Sequence, residues 1–327
     1  MSQTMRAAVL TQHGTPPRIE EIARPRPTRA QVLIRIKASA VNPLDVKILR
    51  GEAAHARHPL PAVLGIDLAG IVESVSPGIT KFHAGDEVYG MTGGVGGHQG
   101  SLAEFAAVDP DLLALKPKNL DMRQAAALPL IAITAWEGLV DRARVRAGQT
   151  VLVQGGAGGV GHIAVQLARA FGAKVFATGS VRDRRYIEQL GATFIDRAAD
   201  DVAACTDGRG FEIVCDTVGG PVLDASFAAV ARFGHVVSAL GWGTHSLAPL
   251  SFRAGTYSGV FTLLPLLSGE GRAHHGEILR EVARLAEQGQ IMPRLDPRRF
   301  AIDTIAQAHA ALTDRSAEGK LVIDIAE

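Results

Sequence analysis

One segment restricts the fold of this chain more than any other: VLVQGGAGGVGHIAVQLARAFG, residues 151–172. A short apolar run leads into Gly156, Ala157, Gly158, Gly159, Val160 and Gly161, spaced G-x-G-x-x-G, and a helical pattern closed by Gly172 begins at once. In a chain with 36 glycines the spacing alone arises by chance. Its place between a strand and a helix gives it a mechanical meaning. The glycines let the backbone turn tightly and approach a pyrophosphate, and the free N–H groups of the helix start bind the anion. The competing reading, a plain strand-to-helix turn, leaves three spaced glycines unexplained.

The pattern continues on the carboxyl side. KVFAT reads as a strand, VRDRRYIEQLG as a helix, TFID and FEIVCDTVG as strands, PVLDASFAAVARFG as a helix and HVVSAL as a strand. Strand and helix in alternation predict a parallel sheet covered on both faces. The first third differs. VLIRIKA puts Val32, Ile34 and Ile36 on one face with period two, and LAGIVESV and GDEVYG read the same way. With no long amphipathic helix before about residue 120, this region is expected to be all-β and barrel-like. The fold class is therefore α/β with a β-barrel domain. A final apolar strand, KLVIDI, can return to the first domain.

Composition narrows the function. Of 327 residues, 47% are hydrophobic, and 34 Lys+Arg against 33 Asp+Glu give +1, which argues against nucleic-acid and membrane-surface partners. Cys205 and Cys215 form no CxxC and read as small core residues. The longest apolar run, 125–136, is too short for a bilayer. MSQTMRAAVL shows no basic-then-apolar signal pattern, so a cytoplasmic location is the expectation. A second glycine-rich stretch, TGGVGGHQG at 92–100, fits G-x-G-x-x-G in no register. It reads as a flexible surface loop, with a lid contributing His98 to a substrate pocket as the alternative.

The longer segments LPAVLGIDLAGIVESVSPGITKFHAGDEVYG, ALPLIAITAWEGL and GQTVLVQGGAGGVGHIAVQLARAFGAKV resemble the medium-chain dehydrogenase/reductase superfamily. The closest branch is the zinc-free, zeta-crystallin-like quinone oxidoreductases. The resemblance runs to GKLVIDI. It implies a GroES-like β domain over 1–123, completed by about 270–327, and a Rossmann domain over 124–269. It also implies a homodimer or homotetramer.

Zinc-dependent relatives carry a Cys and a His-Glu pair where this chain has VNPLD and Ile66-Asp67. Two cysteines cannot build a four-cysteine zinc lobe. His55 and His58 have no third ligand near them in sequence. Without zinc, a simple ketone lacks the strong electrophile that hydride addition needs. A quinone or α,β-unsaturated carbonyl spreads the developing charge itself. The expected activity is metal-free hydride transfer from NADPH to such a small molecule. An alcohol/aldehyde dehydrogenase-type oxidoreductase and a non-catalytic NADPH-binding protein are the alternatives.

The resemblance implies the site residues. Asn42 matches the Asn of an N-x-x-D motif and hydrogen-bonds the nicotinamide ribose or the substrate oxygen. Asp45 either orients it or caps a turn. Lys47 stands where many quinone reductases carry a tyrosine. It is either a donor to an enolate or a solvated lysine. Thr134 matches a threonine near the nicotinamide, and Gly241 follows a strand whose end lines it. Asp216 is expected to cap a turn. For NADPH over NADH, the strand end Ala177, Thr178, Gly179 and Ser180 holds no carboxylate. Ser180 can donate to a 2′-phosphate and Arg182 follows at once, with Arg184 and Arg185 in the next turn. The family's basic residue aligns with Asp183, so Arg182 is its expected substitute. Arg197 falls near a family tyrosine that touches the same phosphate. The bland alternative is a solvated arginine face.

Overall fold

The computed structural model describes residues 3–198, 202 and 204–325. The Cα packing divides the chain into two units, Met1–Leu130 with Leu263–Glu327, and Ile131–Thr262.

The first unit is built on antiparallel strands, apart from Phe300–Ala301, which pairs parallel with Val322–Asp324. A small sheet places Thr4–Leu10 between Arg18–Ala23 and Ala62–Val63. The larger sheet runs Phe300–Ala301, Val322–Asp324, Val32–Ala40, Asp67–Val75, Glu87–Met91 and Leu113–Leu115, with Phe105–Val108 also paired to Val32–Ala40. Val32, Ile34 and Ile36 are buried, as their alternation predicts. The last strand does return to the first third: Val322 pairs with Ala40 and Asp324 with Ala38. Arg123 Nη1 pins it, donating to Asp324 Oδ2 at 2.7 Å and to the Val322 carbonyl at 3.3 Å.

The first third is not all-β. Pro43–Arg50 is an α-helix with proline in its first turn and Gly51 in the left-handed conformation at its end. Eight residues carry too short a periodicity to be read. The 92–100 stretch is also not a simple surface loop. Thr92 and Val95 are buried, Gly94 N–H donates to the His98 carbonyl at 3.0 Å, and a Cβ on Gly100 would lie 2.1 Å from the Leu64 carbonyl oxygen. Its glycines serve close backbone packing.

The second unit is a six-stranded parallel sheet in the order Thr193–Asp196, Lys174–Gly179, Thr150–Gln154, Phe211–Asp216, Val230–Ser238, Thr256–Gly259. The chain winds outward from Thr150–Gln154 in one direction, then resumes on its other side at Phe211–Asp216. That doubly wound order leaves a switch point between those two strands, where such sheets bind ligands. Helices Gly159–Ala170, Arg184–Gln189 and Pro221–Ala229 form the connections. Leu152, Val214, Leu223, Phe227 and Val236 form a buried core, the apolar-run pattern of a sheet covered on both faces.

Two elements differ from expectation. The helix read through Gly234 stops at Ala229. Val230 pairs with Phe211 and His235 with Ile213, so the intervening residues bulge, with Phe233 at φ 62°. Helix-like periodicity conceals such a bulge. The strand Thr256–Gly259, four residues between turns, was not anticipated. Cys205 is exposed rather than in the core, in the short turn Ala204–Thr206, whereas Cys215 is buried and its thiol is pushed up to about 12 by that burial.

Candidate active site

The glycine turn is fixed from below. Gly155 N–H donates to Thr178 Oγ1 at 3.0 Å and Gly156 N–H to the Thr178 carbonyl at 2.9 Å, while Thr178 Oγ1 donates to Gln154 Oε1 at 2.8 Å. Space decides where glycine is required. A Cβ on Gly156 would stand 2.5 Å from Ala177 Cβ, and one on Gly161 would stand 2.0 Å from the Gly155 carbonyl oxygen. Ala157, Gly158, Gly159 and Val160 are at least partly exposed above this floor. The helix Gly159–Ala170 starts there, and its first N–H groups have no earlier turn to bond. Glycines packed below and amides open above fit a pyrophosphate.

Beside the turn, at the switch point, lies a small, partly open pocket whose lining includes Thr134, Val160, Asp216, Thr217, Ser238 and Ala239. Thr134 Oγ1 stands 3.0 Å from Thr262 Oγ1, which donates to Glu137 Oε2 at 3.2 Å. Asp216 caps the next turn. Its Oδ1 accepts from Val218 and Gly219 N–H, each at 3.0 Å, and its Oδ2 from Ser238 Oγ at 2.7 Å. Gly241 is exposed beyond this strand, and a Cβ on it would meet the Tyr257 hydroxyl at 2.1 Å.

The far strand end is where Ser180, Arg182 and Arg197 were expected to act together. Gly179 pairs with Asp196, and Arg197 N–H donates to the Gly179 carbonyl at 3.1 Å, so Ser180 and Arg197 start side by side. Arg182 and Arg197 are exposed. The Ser180 hydroxyl donates to Asp183 Oδ2 at 2.6 Å. Arg184 lies over the Phe194 ring at 4.5 Å and near Glu188 at 3.7 Å, a helix-face position.

In the first unit, Asn42, Asp45, Asp67 and Lys320 form a buried polar cluster. Asn42 Nδ2 donates to Asp67 Oδ2 at 2.9 Å, and Lys320 Nζ donates to Asn42 Oδ1 at 2.5 Å. Both ends of the Asn42 amide are therefore engaged inside the protein, and the residue is 1% exposed. Asp45 Oδ2 accepts from Asn42 N–H at 2.8 Å, closing the first turn of Pro43–Arg50, and its Oδ1 accepts from Gly65 N–H at 3.2 Å. The first of these bonds caps the turn and also ties Asp45 to the Asn42 backbone. Asp67 Oδ1 accepts from Leu130 N–H at 2.9 Å. Burial pushes Asp45 up to about 7 and Asp67 up to about 6, and pushes Lys320 down. Lys47 is exposed on the last turn of the same helix. Lys320, 278 residues from Asn42, was not anticipated. It falls in GKLVIDI, and a Cβ on the adjoining Gly319 would stand 2.6 Å from the Arg294 carbonyl oxygen.

His98 is half-buried against Arg272, with Nε2 to Nη2 at 3.0 Å. His58 Nδ1 accepts from Gly97 N–H at 3.3 Å. Among the described residues, no three His, Cys, Asp or Glu side chains stand together to hold a metal. No helix among them is long and apolar enough to cross a membrane.

Residues 190–323 match the family described as zinc-binding dehydrogenase, and residues 28–118 match the alcohol dehydrogenase GroES-like domain. The NADPH-dependent alkenal/one oxidoreductase of Arabidopsis thaliana chloroplasts is 36% identical over 301 residues, 90% of this chain and 72% of that protein. The 2-methylene-furan-3-one reductase of Solanum lycopersicum is 38% identical over 301 residues, 90% of this chain and 71% of that protein. The crystal structure of an alcohol dehydrogenase superfamily protein from Novosphingobium aromaticivorans superposes with a TM-score of 0.97 at 57% identity, over 99% of this chain and 100% of that one. With a GroES-like domain, a doubly wound sheet and relatives of this closeness, the chain belongs to the medium-chain dehydrogenase/reductase superfamily, in its quinone and enone reductase group.

Proposed function

We propose that this protein reduces small α,β-unsaturated carbonyl compounds with NADPH and without a metal ion. The observation that carries the reading is the glycine cradle at the switch point, opening beside a pocket that contains Thr134. The enone- and alkenal-reducing relatives support the acceptor class and NADPH. When bound, the reduced nicotinamide supplies a hydride.

The chain's residues divide the remaining work. The amides at Gly158–Gly161 hold the pyrophosphate. Arg182 and Arg197 hold the 2′-phosphate by charge-assisted contacts. Thr134 and the backbone at Gly241 orient the nicotinamide end. Asn42, fixed between Lys320 and Asp67, positions the backbone that leads into Pro43–Arg50. Lys47, exposed on that helix, donates to the carbonyl oxygen of the acceptor as negative charge gathers there. We assign the acceptor side to a GroES-like domain of residues 1–123 with about 270–327, and the cofactor to 124–269. The proposal includes a cytoplasmic homodimer or homotetramer.

The test is steady-state NADPH oxidation against alkenals, enones, quinones and saturated aldehydes, with and without a chelator. Turnover of the conjugated acceptors, unchanged by the chelator, is expected. Chelator-sensitive turnover of saturated carbonyls would instead identify a zinc alcohol dehydrogenase. Cofactor binding with no turnover of any acceptor would identify a non-catalytic binder.

A further inference from the structure

The strand Lys174–Gly179 ends in residues without a carboxylate, yet the fold brings one there. Asp183, in the short helical turn Val181–Asp183, reaches back along the chain. Its Oδ2 accepts from Ser180 N–H at 3.0 Å and from Ser180 Oγ at 2.6 Å. Gly179 makes room for this, since a Cβ there would stand 3.1 Å from Asp183 Cβ and 2.7 Å from Ile187 Cδ1. The neighbouring strand delivers Arg197 to the same place.

In a doubly wound dinucleotide fold this strand end reads the adenosine ribose. The Asp183 carboxylate acts on the two cofactors in opposite ways. It takes the Ser180 hydrogen that a 2′-phosphate would otherwise receive, and it sets a negative charge one hydroxyl away from that phosphate. To an unphosphorylated ribose it offers an acceptor for the 2′-OH. Arg182 and Arg197 pull the other way, and their exposure weakens that pull through solvent screening.

We propose that Asp183 is a specificity-determining residue that lowers the preference of this chain for NADPH, so that NADH serves as a second cofactor. The proposal rests on the dinucleotide reading of the glycine cradle given above.

Dissociation constants measured by nicotinamide fluorescence test it without turnover. The wild type is expected to bind NADPH within about tenfold of NADH, and D183N, which keeps an oxygen for the Ser180 amide but loses the charge, to bind NADPH about tenfold more tightly with NADH unchanged or weaker. D183S, which is shorter and neutral, is the second variant and should shift the same way. A folded D183N or D183S that binds NADPH no more tightly than wild type overturns the proposal. A wild-type preference for NADPH above about a hundredfold overturns it whatever the variants do. If the wild type binds neither cofactor, the dinucleotide reading itself falls and this inference with it.

Discussion

The ammonium of Lys320 donates to Asn42 Oδ1 at 2.5 Å, and the same group donates to the Val41 carbonyl at 3.0 Å. Through the Asn42 amide it is linked to Asp67, and it is the buried cation that faces both Asp45 and Asp67. Lys320→Met keeps most of the length of the side chain and removes the charge. The two carboxyls then lose their counter-charge and Asn42 Oδ1 loses its donor. The expected loss is about 3 kcal/mol in urea unfolding. A change below about 0.5 kcal/mol would mean that the cluster carries no net ionic stabilisation.

The glycine cradle predicts two different failures from similar changes. Gly159→Val adds a side chain at an exposed position on the anion-facing side, so the fold should persist while NADPH binding is lost. Gly161→Ala places a Cβ 2.0 Å from the Gly155 carbonyl oxygen, so the turn itself must move. It should cost roughly 1–3 kcal/mol of stability as well as the cofactor. Gly96→Val, in the other glycine-rich stretch, should leave cofactor affinity unaltered and lower stability, because φ there is 61°. Thermal melting paired with fluorescence titration separates the three. A Gly159→Val protein that binds cofactor normally would falsify the cradle.

Arg182 is exposed beside the Ser180–Asp183 turn. Replacing it with alanine should weaken NADPH binding roughly tenfold, the low end for a charge-assisted contact because solvent screens it. NADH affinity should stay as it is. Equal losses for both cofactors would point to a general effect on the turn and return the phosphate contact to Arg197.

Acid should act through His309. It is buried on the helix Ile305–Thr313, neither ring nitrogen has a partner, and burial pushes it down to about 4. Between pH 6.5 and about 4 the unfolded chain binds a proton that the folded chain does not. Stability from this group is therefore present above 6.5 and falls with pH through that window, by about 3 kcal/mol in total. Asp45 and Asp67 work in the opposite sense, because their raised folded values favour the folded state as the pH drops from about 7 towards 3.8. His309→Leu removes only the histidine contribution. Urea midpoints at pH 4.5, 5.5 and 7 should show the variant gaining on wild type as the pH falls. Parallel curves would exclude His309 as the acid-sensitive group.

The doubly wound half was legible in the amino-acid order, because strand and helix periods and the glycines between them are local properties. Gly156–Gly161 could be placed from that context alone, and the turn-capping role of Asp216 was legible from its position after an apolar run. The β-rich first third was legible too, apart from the helix Pro43–Arg50, which is too short to show a period. Tertiary structure decided what depends on distant residues or on where a side chain turns. The engagement of Asn42 follows from Lys320, 278 residues away, which lies just ahead of the strand Val322–Asp324 that pairs with Val32–Ala40. The bulge at Phe233 follows from pairing with Phe211–Asp216, which helix-like spacing hides. At the ribose end the sequence showed four residues without a carboxylate. The fold then brought the Asp183 carboxylate back onto Ser180, because a short turn beside a glycine lets a side chain reach where its sequence position does not place it.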